Sequence, residues 1–225
     1  MKGSVKTWLE SLRVPGKPDE WESKNLLRLA GFRVPGGRRI LPGEAAEPAD
    51  FGFPLVLKVC DPEILHKTER GGVLLNVIAE GFSGAVQDLR ERFPGSPLLA
   101  ESLCRSLGTE FILGGLVDPV FGPAVMAGAG GILTEVYEDA VFRLCPCSPD
   151  EALRMLGELR IAPVLQGYRG SRLDLKALAD TVARLSRLFE AFEGSLSQVD
   201  INPLVFTEEG WTALDCVLVI REEAL

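Results

Sequence analysis

The run Phe53–Val77, FPLVLKVCDPEILHKTERGGVLLNV, constrains the fold of this chain more than any other stretch. Pro54–Cys60 is apolar apart from Lys58, a short polar loop follows, and Gly71-Gly72 opens a second apolar run, Val73–Ile78. Two short apolar runs divided by turn residues predict strand, loop, strand. The loop holds the single histidine of the chain, His66, next to Lys67. Lys58 has two readings: a strand-end lysine whose ammonium snorkels to water, or a fixed point charge for a phosphate. His66 likewise is either an ordinary surface residue or a nucleophile at phosphorus. The second role needs a neutral ring held in one tautomer by a carboxylate or carbonyl, and neighbouring lysines favour the neutral form.

The flanking elements mix helix and strand. Residues 1–18 read as a loosely held lead-in with one helical turn around Trp8, Leu9 and Leu12. Asp19-x-x-Glu22 is a capping-box pattern that starts a helix ending at Gly31. Residues 35–52, rich in Gly, Pro, Ala and Glu, predict a loop or weak helix. Phe82, Val86, Leu89 and Phe93 keep helical spacing until Pro94-Gly95. Leu98–Leu103, Phe111–Val117, Pro123–Met126, Ile132–Tyr137 and Val141–Cys145 read as strands. Ser148-Pro149-Asp150-Glu151 starts a helix with a serine cap and proline in its first turn. Asp174 caps a longer one that presents Leu178, Val182, Leu185, Phe189 and Phe192 on one face. Gln198–Phe206 and Trp211–Ile220 close the chain as an antiparallel hairpin. Without regular βαβ alternation, the class is α+β, in two lobes.

Composition narrows the function. A hydrophobic content of 46% supports a filled core, and a net charge of −8 gives no electrostatic footprint for nucleic acid. No apolar run reaches the ~18 residues of a membrane span, and the N-terminus lacks the apolar region of a signal peptide. The expected location is cytoplasmic, with no membrane partner. The five cysteines are odd in number and irregular in spacing. Cys145-Pro146-Cys147 is neither a redox pair nor half of a zinc site.

Three further groups could carry chemistry. Asp200 and Asn202 stand two apart in a strand and share a face, and Asp215 lies on the facing strand. Two carboxylates and an amide oxygen suit Mg²⁺, and a polar outer face explains them equally. Gly128, Gly130 and Gly131 form a glycine-rich loop that could cradle an anion through backbone N–H groups, or simply a tight turn. Glu101 and Glu110 flank a strand connection, where solvation alone accounts for them.

Taken in order, FPLVLKV, ILHKTERGGV, DPVFGPAVMAGAGGILTEV, VFRLCPCSPDEA, GYRG and DINPL resemble the ATP-grasp β subunit of ADP-forming acyl-CoA synthetases of the acetyl-CoA synthetase type, in the succinyl-CoA synthetase superfamily. The resemblance runs from about Glu20 to the C-terminus. It implies an ATP-grasp fold of two α+β lobes with the nucleotide cleft between them. The whole chain, 1–225, would be one domain: lead-in 1–19, first lobe 20–98, second lobe 99–225. It implies a CoA-binding α subunit as partner in a heteromer, with Mg²⁺ and ATP/ADP bound here. His66 would relay a phosphoryl group between that partner and ADP, with Asp200 supporting the phosphohistidine. Lys58, Glu101, Glu110 and the glycine loop would bind nucleotide, and Asn202 and Asp215 the metal. The resemblance places a second nucleotide lysine upstream of Lys58, where this chain offers Arg38 or Arg39. The alternative is a catalytically weakened nucleotide-binding regulatory module of the same fold.

Overall fold

The computed structural model describes residues 2–12, 18–48, 51–64, 66–130, 139–168, 173–192 and 194–221. The expected strand Ile132–Tyr137 therefore lies outside the described residues. The chain divides into two compact units. The smaller comprises Asp19–Glu22 and Pro35–Arg105, and the larger Met1–Pro18, Ser23–Val34 and Ser106–Leu225.

The smaller unit is built on an antiparallel sheet. Its strands are β1 (Gly37–Ile40), β2 (Leu55–Val59), β3 (Val73–Val77) and β4 (Leu98–Ser102), in the order β1-β4-β2-β3. β2 is buried along its whole length because both of its edges are paired. Its alternation sends Leu55, Leu57 and Val59 into a core closed by Phe82, Val86 and Leu89 of helix α3 (Phe82–Arg92). Val56 and Lys58 fall on the other face. β1 departs from the expected loop: Gly37 pairs with Glu101 and Ile40 with Leu98. Two arginines in four residues hid this edge strand, in which Ile40 is the one fully buried residue. Gly37 is obligatory there, because a Cβ would run into the Ala100 carbonyl oxygen.

Two helices precede the sheets: α1 (Lys2–Glu10) and α2 (Glu20–Leu29). α1 is not a loose lead-in. Val5 and Trp8 are buried in the core of the larger unit, and Trp8 meets Phe192 edge-on at 5.9 Å. The capping box of α2 is formed in full: the Asp19 N–H donates to Glu22 Oε2 at 3.0 Å, and the Glu22 N–H to Asp19 Oδ1 at 2.9 Å.

The larger unit carries β5 (Phe111–Asp118), β6 (Gly122–Ala129), β7 (Ala140–Leu144), β8 (Leu196–Thr207), β9 (Gly210–Ala213) and β10 (Val217–Ile220). They form one antiparallel sheet, β10-β8-β5-β6-β7, with β9 also on β8. Helices α4 (Pro149–Gly157), α5 (Ala162–Leu165) and α6 (Leu175–Ala191) contribute buried side chains to its core. α4 and α6 start where the caps predict, at Ser148 and Asp174. The expected strand Trp211–Ile220 is instead two strands, interrupted at Leu214–Cys216.

Candidate functional site

The candidate residues fall into two sets, one in each unit. In the smaller unit, Lys58 is 7% exposed and does not snorkel. Its Nζ donates to Glu20 Oε1 at 2.7 Å and lies 3.1 Å from Glu101 Oε2. Register explains the second contact: Lys58 pairs with Leu99, so Glu101, two residues on, lies diagonally beside it on the same face. A buried ammonium needs such partners, because desolvation is otherwise prohibitive. Glu20 also pairs with Lys67 of the histidine loop. Two cations and two carboxylates therefore form one nearly dry network. Sequence reasoning missed Glu20. Its only local signal was an acidic residue in the first turn of a helix, which every helix dipole favours.

The loop from His66 to Gly72 is tightly wound. The Arg70 N–H donates to the His66 carbonyl at 3.2 Å and the Gly72 N–H to the Lys67 carbonyl at 2.6 Å. Gly71 has φ 69°, and a Cβ on Gly72 would press on Val59. Only the glycine pair lets the loop close onto β3. His66 takes the left-handed conformation, φ 51°, uncommon outside glycine. Its side chain is 75% exposed, and Nδ1 lies 3.9 Å from Glu69 Oε1.

Of the two upstream arginines, Arg39 is occupied. It binds Asp19 at 2.5 Å and Glu22 at 3.0 Å, and burial of Asp19, foremost among the causes, holds that carboxyl above the usual range. Arg38 lies 3.2 Å from Glu44 Oε1 and over the Phe51 ring, and it lines a small cavity of about 170 Å³ with Leu55, Ala100, Glu101 and Ser102.

In the larger unit, Asp200 and Asn202 project from β8 on the face opposite the core, while Val199 and Ile201 are buried. Two pairings bracket the break after β9. The Leu214 N–H donates to the Pro203 carbonyl at 3.0 Å, and Val217 pairs with Asp200. Between them Asn202 and Asp215 are brought opposite one another, Asp215 in the break rather than on a strand. Asp200 Oδ1 is buried with no hydrogen-bond partner among the described residues. Burial first, and the like charge of Asp215 second, raise its pKa. Asp215 Oδ1 accepts from the Cys216 N–H at 2.8 Å.

Gly128 is not in a loop. It lies within β6, between Ile112 and Ala140, where a Cβ would sit 2.7 Å from the Asp139 carbonyl. Gly114, opposite Asp200 on β5, is equally bare. The two glycines flatten the sheet face beside the carboxylates, so a ligand could approach the backbone closely. The Gly130 N–H is used by the Glu110 carbonyl at 2.8 Å, and Gly131 lies outside the described residues. Glu110 is exposed at the start of β5, in the larger unit, whereas Glu101 is buried in the smaller.

A divalent cation fits the larger unit's cluster. An orphaned buried carboxylate oxygen and a like-charged neighbour are what a cation relieves. Among the described residues, no three His, Cys, Asp or Glu side chains form a metal cage. Two carboxylates and an amide suit Mg²⁺, which keeps waters and substrate phosphates as its remaining ligands. Among the described residues, no helix is long and apolar enough to cross a membrane.

The model of the ATP-grasp domain family matches residues 16–220. The β subunit of acetate–CoA ligase (ADP-forming) I from Pyrococcus furiosus is 34% identical, over 94% of this chain and 96% of that one. A solved Pyrococcus horikoshii protein superposes with TM-score 0.88 at 29% identity, covering 98% and 99% of the two chains. An acetyl-coenzyme A synthetase 1 of Ca. Korarchaeum cryptofilum superposes with TM-score 0.80 at 28% identity, covering 98% and 100%. It was solved with coenzyme A and Mg-AMPPCP, its phosphohistidine segment pointing towards the nucleotide binding site.

Proposed function

This chain belongs to the ATP-grasp domain family, and from that premise we propose that it is the ATP-grasp subunit of an ADP-forming acyl-CoA synthetase. It relays a phosphoryl group through His66 between acyl phosphate chemistry on a CoA-binding α subunit and ADP/ATP bound here. Residues 1–225 act as one ATP-grasp domain. The observation that carries the reading is His66 itself: the chain's one imidazole, exposed on a loop whose next residue, Lys67, is tied into the Lys58 network. The regulatory alternative is not favoured, because the relative matched over nearly its whole length is named a ligase subunit.

Phosphoryl transfer asks for positioning and charge neutralisation more than for acid–base work. Lys58 supplies a cation that exchanges a carboxylate partner for a nucleotide phosphate. Glu101 holds that cation in place, and Glu110 and the flat sheet face at Gly114 and Gly128 line the nucleotide's approach. Asn202 and Asp215 would hold Mg²⁺, which when bound neutralises charge on the nucleotide phosphates. His66 presents a ring-nitrogen lone pair to phosphorus, and Asp200 offers a carboxylate to the phosphorylated ring. The partner is inferred because the Pyrococcus furiosus relative is named as a β subunit.

The test is labelling with γ-³²P-ATP and magnesium. The wild-type chain should take up an acid-labile, base-stable label that His66→Ala and His66→Asn both lose. Undiminished labelling in either variant would overturn the role of His66. Turnover by the isolated chain with no second subunit would overturn the heteromer.

A further inference from the structure

Asp200, the carboxylate assigned above to the phosphohistidine, belongs to the larger unit, whereas His66 sits on a loop of the smaller one. The ring also has a carboxylate of its own. Glu69 lies three residues along the same turn, and its Oε1 is 3.9 Å from His66 Nδ1. The turn that brings them together is defined by the Arg70-to-His66 and Gly72-to-Lys67 backbone bonds. The contact is beyond hydrogen-bond length, but both side chains are largely exposed, so a side-chain rotation that closes it displaces only surface water.

We propose that Glu69 is the positioning residue of the phosphoryl relay, holding Nδ1–H so that Nε2 is the atom that carries phosphorus. The proposal rests on the function proposed above. Lys67, between the two residues, pairs with Glu20, and among the described residues Glu69 lies beside the ring. Glu69 shares the turn with His66, so the carboxylate and the ring are held on one backbone frame.

The steps balance without a proton leaving the ring. The Nε2 lone pair attacks the γ-phosphorus of ATP, the bond from phosphorus to the bridging oxygen breaks, and ADP departs with that electron pair. The ring, still protonated at Nδ1, becomes a phosphoimidazolium whose positive charge faces the Glu69 carboxylate. In the reverse step a terminal oxygen of ADP attacks phosphorus, the P–Nε2 bond breaks, and its electron pair returns to Nε2. Loss of Glu69 releases the ring to the Nε2–H tautomer that free histidine prefers, with the wrong nitrogen left nucleophilic.

A chain with one histidine gives one set of imidazole signals, so ¹⁵N NMR of the labelled full chain reads the tautomer directly. The wild type should show Nδ1–H, and Glu69→Gln should shift the ring towards Nε2–H with no change in melting temperature. After phosphorylation by Mg-ATP, ³¹P NMR should find only the Nε2 isomer in the wild type. Glu69→Gln should give a mixture and be labelled about tenfold more slowly or worse, as when an orienting carboxylate is lost from a catalytic histidine. Glu69→Asp should recover part of both. Identical tautomer, isomer and rate in wild type and Glu69→Gln would overturn the proposal while leaving the relay through His66 intact. A wild type that takes no label would instead sink the relay, and the tautomer spectrum would still decide whether Glu69 orients the ring.

Discussion

Lys58 in the smaller unit and Asp200 in the larger are both charged groups drawn out of water, and the fold treats them in opposite ways. Lys58 is neutralised twice over, by Glu20 and Glu101, inside a network of balanced charge. Asp200 has an orphaned oxygen and a like-charged neighbour. The first arrangement is complete as it stands and stabilises its unit. The second is incomplete and costs stability until a cation arrives. The balanced network can hold its unit together before any phosphate exchanges for a carboxylate, whereas the unbalanced one lacks a counterion until a ligand arrives.

The comparison breaks most easily at Lys58. Lys58→Met removes the cation set between two buried carboxylates and should cost about 3–5 kcal/mol, the range for one partner removed from a buried ion pair. Urea unfolding measures it, and a loss below ~1 kcal/mol would mean the network is not holding the unit. Glu20→Gln keeps the shape but removes the shared anion. A loss of about 1.5–3 kcal/mol is expected, the range for hydrogen bonds to charged groups, together with faster proteolysis of the His66 loop.

Asp200→Asn should act in the opposite direction. A carboxyl with a raised native pKa binds more protons folded than unfolded between the two pKa values, so stability falls as pH rises through that window. With EDTA present, the variant should therefore melt higher than the wild type at neutral pH, by about 2–4 °C for each ~1 kcal/mol in a chain of this size. The two should converge in acid, below the ordinary aspartate pKa near ~3.9. Magnesium with nucleotide should shrink the gap by stabilising the wild type more than the variant, since the cation relieves the Asp200 carboxylate as well as binding at Asn202 and Asp215. Equal melting at every pH would show that the cluster carries no unfavourable charge.

The smallest effect is expected at an ordinary surface pair. Arg143 binds Glu151 and Glu158 beside α4. Arg143→Ala should cost no more than about 1 kcal/mol by thermal melting, since exposed ion pairs contribute little. A larger loss there would blur the distinction between balanced networks that matter and those that do not.

Local chemistry was readable in advance. The caps at Asp19 and Ser148 and the apolar run through Leu55–Val59 depend on neighbours a few residues away, and each appears as its pattern predicts. The same holds for the placement of His66 in a loop closed by Gly71-Gly72. Edge strand β1 was missed because its two arginines mask a period of two. The break at Leu214–Cys216 was missed because its apolar flanks read as one continuous strand. Glu20 was missed because nothing in its neighbours distinguishes it from any acid at the start of a helix.

From the sequence alone came the family resemblance, the strand–loop–strand around His66, the helix starts and the residues able to carry charge. These follow from spacing and local hydrogen bonding, which short segments encode by themselves. Only the tertiary structure decided which charges are satisfied. Glu20 reaches Lys58 across 38 residues, and Asp200 meets Asp215 because β10 folds back along β8. Whether a buried charge is neutralised depends on what long-range packing sets beside it within a few ångströms, and no local pattern carries that information.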